Sequence, residues 1–279
     1  MSTPHAAISW MDDPSYVQTV LPLLDAGVID AVEWSFDTQW HPTPASAAIL
    51  SAFGQQDRLY GHGVLLSLLS GVWTQRQETW MQRLAAEVQT RDYVHVSEHI
   101  GFMTAGKWID GAPLPMPLRD DVIAVGVDRL TRLAEVSGKP VGLENLAMAL
   151  GPQDVHHEAE LMQRLLEPVD GFMILDLHNL WCRAVNYGVD LTQLLRSYPL
   201  DRVRELHISG GSWDGRFRRD THDGTVPDDV WAALPTALTL CPDVQLVVLE
   251  QEPNSLRSPE AQAAYRDDFT TLRQVLYAG

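Results

Sequence analysis

His62, His99, Glu144, Asp176, His207 and Glu250 each fall near the end of a short apolar run, except His62, which lies inside one. An Asp-x-His pair, Asp220 and His222, follows the run that carries His207. Imidazole and carboxylate without thiolate suit zinc, iron or manganese rather than copper(I) or an iron–sulfur cluster. Several carboxylates brought together would repel one another and raise each other's pKa unless cations neutralised them. One carboxylate, such as Glu144, can bridge two ions, so a binuclear centre needs few residues. A lone histidine is ordinarily a hydrogen-bonded core group, so only the joint placement argues for a metal site. His5, His41, His156, His157 and His178 have no such placement, and the last two before His178 start a helical pattern and read as solvated. His95 lies four residues before His99, on the same side but deeper, as a core or supporting group. Glu33 also ends a run and reads as a supporting group rather than a ligand.

The elements that must position these side chains alternate along the chain. Strand patterns cover 6–10, 31–35, 59–65, 93–99, 140–145, 172–177, 203–209 and 245–250. Helical periodicity covers 16–24, 76–89, 119–136, 158–166, 229–238 and 260–276. Most of the strand runs lack polar alternation, as burial on both faces requires. Eight such units in 279 residues predict an α/β fold, a single (β/α)8 TIM barrel over 1–279. A doubly wound open sheet is the rival, but no G-x-G-x-x-G follows the first strand. In a barrel the strand ends form the face that carries the chemistry. Two long connections, 101–121 and 210–227, belong to that face, and their Trp108, Trp213 and Phe217 favour a binding role.

Charge and composition narrow the partners. The 20 Lys and Arg against 37 Asp and Glu give −17, a field that repels phosphate backbones and excludes nucleic acid as the expected partner. No apolar run approaches the ~20 residues of a membrane span, and no secretory signal opens the sequence, so a cytoplasmic location is expected. The two cysteines, Cys182 and Cys241, have neither disulfide-framework nor metal-site spacing. Cys182, six residues past Asp176, reads as a packed structural thiol.

The wording around the ligands is more specific than their order. HGVLLSL (62–68), VSEHIGF (96–102), GLEN (142–145), LDLHNLWCRAVNYG (175–188), ELHISGG (205–211) and DTHDGTVPDDVW (220–231) resemble the multinuclear non-haem iron-dependent oxidative enzymes. These form the MbnB/TglH group within the xylose-isomerase-like, endonuclease IV-like TIM barrels. The resemblance runs from about Glu33 to Glu252, and the 175–188 and 220–231 blocks carry most of it. It implies that His62, His99 and Glu144 hold one iron, and that a bridging Glu144 holds a second with Asp176, His207 and Glu250. It further implies that Asn179, Asp220 and His222 line a third position. The nucleases carry a histidine three residues after the strand-six aspartate, where this chain has Asn179. An amide oxygen is the weaker ligand, so the third ion is expected to be labile or partly occupied.

The resemblance also implies an activity: oxidation of cysteine in a ribosomally made precursor peptide, with O2 as co-substrate and a mixed-valence Fe(II)/Fe(III) pair among two to three iron ions. No catalytic residue beyond the metal centre is implied, and zinc or manganese are the alternative metals. Family members often work with a separate protein that presents the peptide. Arg216, Arg218 and Arg219 offer a carboxylate clamp in an otherwise acidic chain, with Lys107 and Trp108 as an opposing wall. The competing readings are a metal-dependent hydrolase or isomerase on the same barrel, and a non-catalytic peptide-binding scaffold.

Overall fold

The computed structural model describes residues 3–105 and 108–277, with the backbone alone over 108–111. Its order is β1 (His5–Trp10), α1 (Pro14–Asp25), β2 (Ala31–Trp34), α2 (Pro44–Gly54), β3 (Leu59–Gly63), α3 (Gln75–Thr90), β4 (Val96–His99), β5 (Phe102–Ala105), β6 (Trp108–Leu114), α4 (Asp120–Ser137), β7 (Val141–Glu144) and α5 (His157–Leu166). It continues through β8 (Phe172–Asp176), α6 (Leu177–Tyr187), α7 (Leu191–Leu195), β9 (Val203–Ile208), α8 (Asp228–Leu240), β10 (Leu246–Leu249) and α9 (Pro259–Tyr277). Eight strands, β1-β2-β3-β4-β7-β8-β9-β10, close on themselves, and every neighbour pairs parallel. This is a (β/α)8 barrel of the xylose-isomerase-like type, as the sequence predicts.

Strand alternation decides what fills the interior. At the lower end Ala7, Ala31, Tyr60, Leu246 and Val248 form a small apolar plug. Two residues further up the same strands stand Glu33, His62 and Glu250, so the apolar packing gives way to charge toward the C-terminal ends. The register sets His99 beside Glu144 and Asp176 beside His207. The larger core lies between barrel and helices, where Trp10, Trp34, Tyr16, Phe36 and Phe269 are fully buried. The chain ends are joined as well: Tyr277 on α9 donates its hydroxyl to Asp30 at 2.6 Å, and Arg273 pairs with the same carboxylate at 3.0 Å.

Several elements depart from the sequence reading, the short α7 among them. The 101–121 connection contains an antiparallel hairpin, β5 with β6, held against the segment after β3 because Ser67 Oγ accepts from the backbone N–H of Met103 and Thr104 at 2.8 and 3.0 Å. Helix α2, rich in alanine and serine, carries too weak an apolar stripe to stand out in the pattern. Helix α6 begins directly after β8, so the strand run reads on into its first residue, and it is buried over Leu177–Ala184 with its polar His178, Asn179 and Arg183 included. The 210–227 connection is irregular apart from one bridge between Trp213 and Arg218.

Candidate metal centre

The expected ligands converge on the C-terminal mouth in overlapping sets. His62, His99 and Glu144 form one; Glu144, Asp176, His207 and Glu250 form a second; Asp176, Asp220 and His222 form a third; within each, the ligand atoms lie within 4.8 Å of one another. Glu144 divides its two oxygens between the first two sets. Its Oε2 lies 3.2 Å from His62 Nε2 and 3.4 Å from His99 Nε2, while its Oε1 lies 3.8 Å from His207 Nδ1. Glu250 Oε2 stands 3.1 Å from His207 Nδ1 and 3.8 Å from His222 Nε2.

Asp176 serves two elements at once. One carboxylate oxygen accepts from the Asn179 backbone N–H at 2.6 Å and caps α6, which satisfies a donor left free at a helix start. The other, Oδ2, is buried without a hydrogen-bond partner. The same holds for Asn179 Oδ1, His207 Nδ1, His222 Nε2 and Glu250 Oε2. Asn179 turns its amide nitrogen to Asn145 O at 3.0 Å and Glu144 Oε1 at 3.4 Å.

Buried polar atoms are normally paired, so a ring of them facing common points fits cations as the missing partners. The imidazole and carboxylate donors suit zinc, iron or manganese.

Without metal, protons carry that charge. Burial opposes a charge on His62, but Glu33 and Glu144 outweigh it and lift its pKa to about 10. Burial together with the carboxylates of Asp220, Glu144 and Glu250 pushes Asp176 well above the usual range. Burial would raise Glu250, yet His207 and His222 hold it down at about 2.

Around the ligands lies a set of orienting groups that sequence order did not reveal. His62 Nδ1 donates to Ser97 Oγ at 2.8 Å, which in turn donates to Gly61 O, so Nε2 is left for an ion. His207 Nε2 faces two carboxylates, Glu33 at 3.2 Å and Glu205 at 3.4 Å, and Glu205 reaches His95 Nε2 at 2.7 Å. A carboxylate on the outer nitrogen fixes the tautomer and strengthens a ligating imidazole. Glu33 and His95 stand behind the expected ligands, and Glu33 also lies with Glu205 and His207 in a group close enough to hold an ion; Glu205 was not anticipated, although it lies two residues before His207 and therefore on the same face. His178 was set aside on sequence, yet it is buried with Nδ1 3.1 Å from Asp220 Oδ1 and Nε2 3.6 Å from the Cys182 thiol. Burial pushes that thiol above its ordinary range, and both cysteines are free. His156 and His157 are exposed, as read from the sequence.

The three arginines do not form one clamp. Arg219 pairs with Asp214 at 3.1 Å, and Arg216 lies over Phe217, its guanidinium 4.8 Å from the ring centre. Arg218 lies over both Trp181 and Trp213, at 5.1 and 5.8 Å from their ring centres. Lys107 and the side chain of Trp108 lie outside the described residues.

A family model described as "RiPP precursor modification enzyme MbnB/TglH/ChrH" matches residues 19–267. The chain belongs to this family. Solved structures agree with this chain in fold. Endonuclease IV from Thermus thermophilus superposes with a TM-score of 0.60 at 16% identity, covering 97% of this chain and 100% of that one. A 3-keto-D-glucoside 4-epimerase from E. coli gives 0.60 at 17%, covering 98% and 100%. At such identities the likeness concerns the fold. Among curated relatives, a UPF0276 protein of Acaryochloris marina is 30% identical over 63% of this chain and 64% of its own length. One from Acinetobacter baylyi is 26% identical over 75% and 71%. The match to the first spans just under two thirds of that relative. No helix among the described residues is long and apolar enough to cross a membrane.

Proposed function

We propose that this chain is an iron-dependent, O2-using oxidoreductase that modifies cysteine in a ribosomally synthesised precursor peptide. The observation that carries the reading is the division of Glu144 between two imidazole-bearing sets, since a bridged pair of ions is what a two-centre oxidation needs. Membership in a family described as modifying RiPP precursors supplies the substrate class. When bound, the iron pair would supply a Lewis acid that keeps a substrate thiol deprotonated and electrons that reduce O2.

The chain's own residues do the rest. His62 and His99 hold one side of Glu144, and Asp176, His207 and Glu250 hold the other. Ser97, Glu33 and Glu205 fix the ring orientations, so the ligand geometry is set before substrate arrives. Asn179, Asp220 and His222 line the third position, where the amide makes the weakest contribution and occupancy is expected to be partial. The β5–β6 hairpin and the 210–227 connection follow β4 and β9 and so wall the mouth on two sides. The peptide partner, and a separate protein that presents it, belong to the same proposal.

Phosphodiester hydrolysis is the weaker reading. The −17 charge opposes a nucleic-acid substrate, and Asn179 replaces the third-site histidine of the nucleases. The test is to purify the protein with and without air, count metals by mass spectrometry and add a cysteine peptide encoded beside its gene. Iron retention, O2 uptake and a mass change on the peptide are expected. Full activity with zinc or magnesium in the absence of O2 would refute the proposal in favour of a hydrolase or isomerase.

A further inference from the structure

Of the three arginines in the 210–227 connection, one is built to receive a ligand. We propose that Arg218 anchors a carboxylate of the substrate peptide beside the metal centre; this rests on the peptide-modifying role proposed above and narrows its substrate class. Four observations carry it. Trp181 and Trp213 both lie within cation–π reach of the guanidinium, whose edge carries five N–H donors. That edge has no hydrogen-bond or ion-pair partner among the described residues. Asn186 fixes the backbone on both sides, accepting from the Arg218 N–H at 2.7 Å and donating to its carbonyl at 2.9 Å. The cation is therefore held in place by its surroundings, with its planar fork presented for a bidentate carboxylate. Its neighbours are already engaged: Arg219 is neutralised by Asp214, and Arg216 lies on Phe217.

The position matches a substrate that also reaches the metals. Trp181 packs on His178 with ring centres 5.7 Å apart, and His178 binds Asp220 at 3.1 Å. Laid end to end, these separations set an upper limit of about 11 Å between Arg218 and His178, no more than about three residues of extended chain at ~3.3 Å each. An acidic residue up to three positions from the reactive cysteine, or a chain-terminal carboxylate within that span, would meet the fork. In a protein of charge −17 an acidic peptide is repelled at long range, so a local cation is required to seat it.

The test measures binding to the protein as purified, under nitrogen, so that no turnover takes place. The probes are acetylated tetrapeptides of cysteine and two glycines ending in an amidated aspartate, an amidated asparagine, or a glycine with a free carboxylate. A charge-assisted bond of this kind predicts that the aspartate or the free-terminus peptide binds about tenfold or more tightly than the asparagine one, and whichever is favoured identifies the source of the carboxylate. Arg218→Leu, which keeps an apolar filling against the two indoles, should abolish the preference, and Arg218→Lys should retain only part of it. Equal binding of all three peptides by the unaltered protein would overturn the proposal. So would a preference that survives in Arg218→Leu, or an equal loss of affinity for all three peptides in that variant, which would mean that the side chain only holds the loop. Because the measurement needs no O2, the anchor can fail while the oxidative reading stands, and the reverse.

Discussion

His178 offers the sharpest perturbation of the third position. Its Nδ1–H lies 3.1 Å from Asp220 Oδ1, while its ring packs on Trp181 at 5.7 Å. Phenylalanine keeps the packing and removes the donor. Loss of a group that orients a metal ligand costs about 10–100-fold in affinity. The Asp220 side chain is 24% exposed, so water replaces part of the lost bond and the lower end, about tenfold, is expected here. The assay is an anaerobic titration of the metal-free protein with cobalt(II), read by its visible absorption, in which the first two equivalents report the Glu144-bridged pair. In His178→Phe the third equivalent should weaken by that factor and the first two should be unchanged. His178→Gln, whose amide can donate to Asp220, should restore most of the loss. Weakening of all three equivalents together, or an unaltered third, would refute the assignment of His178 to Asp220.

Three further outcomes follow from the same geometry. The metal-free protein should be most stable between about pH 4.5 and 6.5: the raised His62 contributes stability that is complete below 6.5 and lost as pH climbs through about 10, and the depressed Glu250 contributes stability that is complete above 4.5 and lost as pH falls through about 2. Metal-loaded protein should lack the alkaline loss, and calorimetry should show protons released on loading. Arg183 is buried in α6, pairs with Glu158 at 2.5 Å and donates to the carbonyls of Leu146 and Met148 at 2.7 and 2.8 Å. Arg183→Met should therefore cost about 3–5 kcal/mol in urea denaturation, most of it recovered when Glu158 is also made apolar. Gly211 admits the loop against α6, since a Cβ there would lie 2.1 Å from Arg219 O and 2.8 Å from His178 Cε1. Gly211→Ala should destabilise by about 1–3 kcal/mol and weaken the third cobalt equivalent along with it.

The barrel and its candidate ligands were legible for a common reason. Parallel strands bury both faces, so they show up as apolar runs, and a charged residue near the end of such a run must point into the mouth or clash with the core. His99, Glu144, Asp176, His207 and Glu250 obey that rule, and His62, inside its run, joins them at the mouth. What escaped detection depended on pairing across the barrel. Glu205 gains its meaning from His95, just before β4 and 110 positions away in sequence, and His178 from Asp220, 42 positions on. Helix α6 was hidden because it starts with no loop after β8, and the strand pattern read through 177 takes in its first residue. The arginine run shows which cations exist but not which are already engaged; that depended on Asp214, Phe217 and the two tryptophans.

Asp176 closes one element and opens the next, and its two oxygens face in different directions. A cation drawing on Oδ2 would tug on the same group that fastens the first turn of α6, and that helix carries Trp181 and Asn186, which brace Arg218. Under the proposed function, loading the centre would therefore be felt along α6 as far as the doorway that Arg218 occupies.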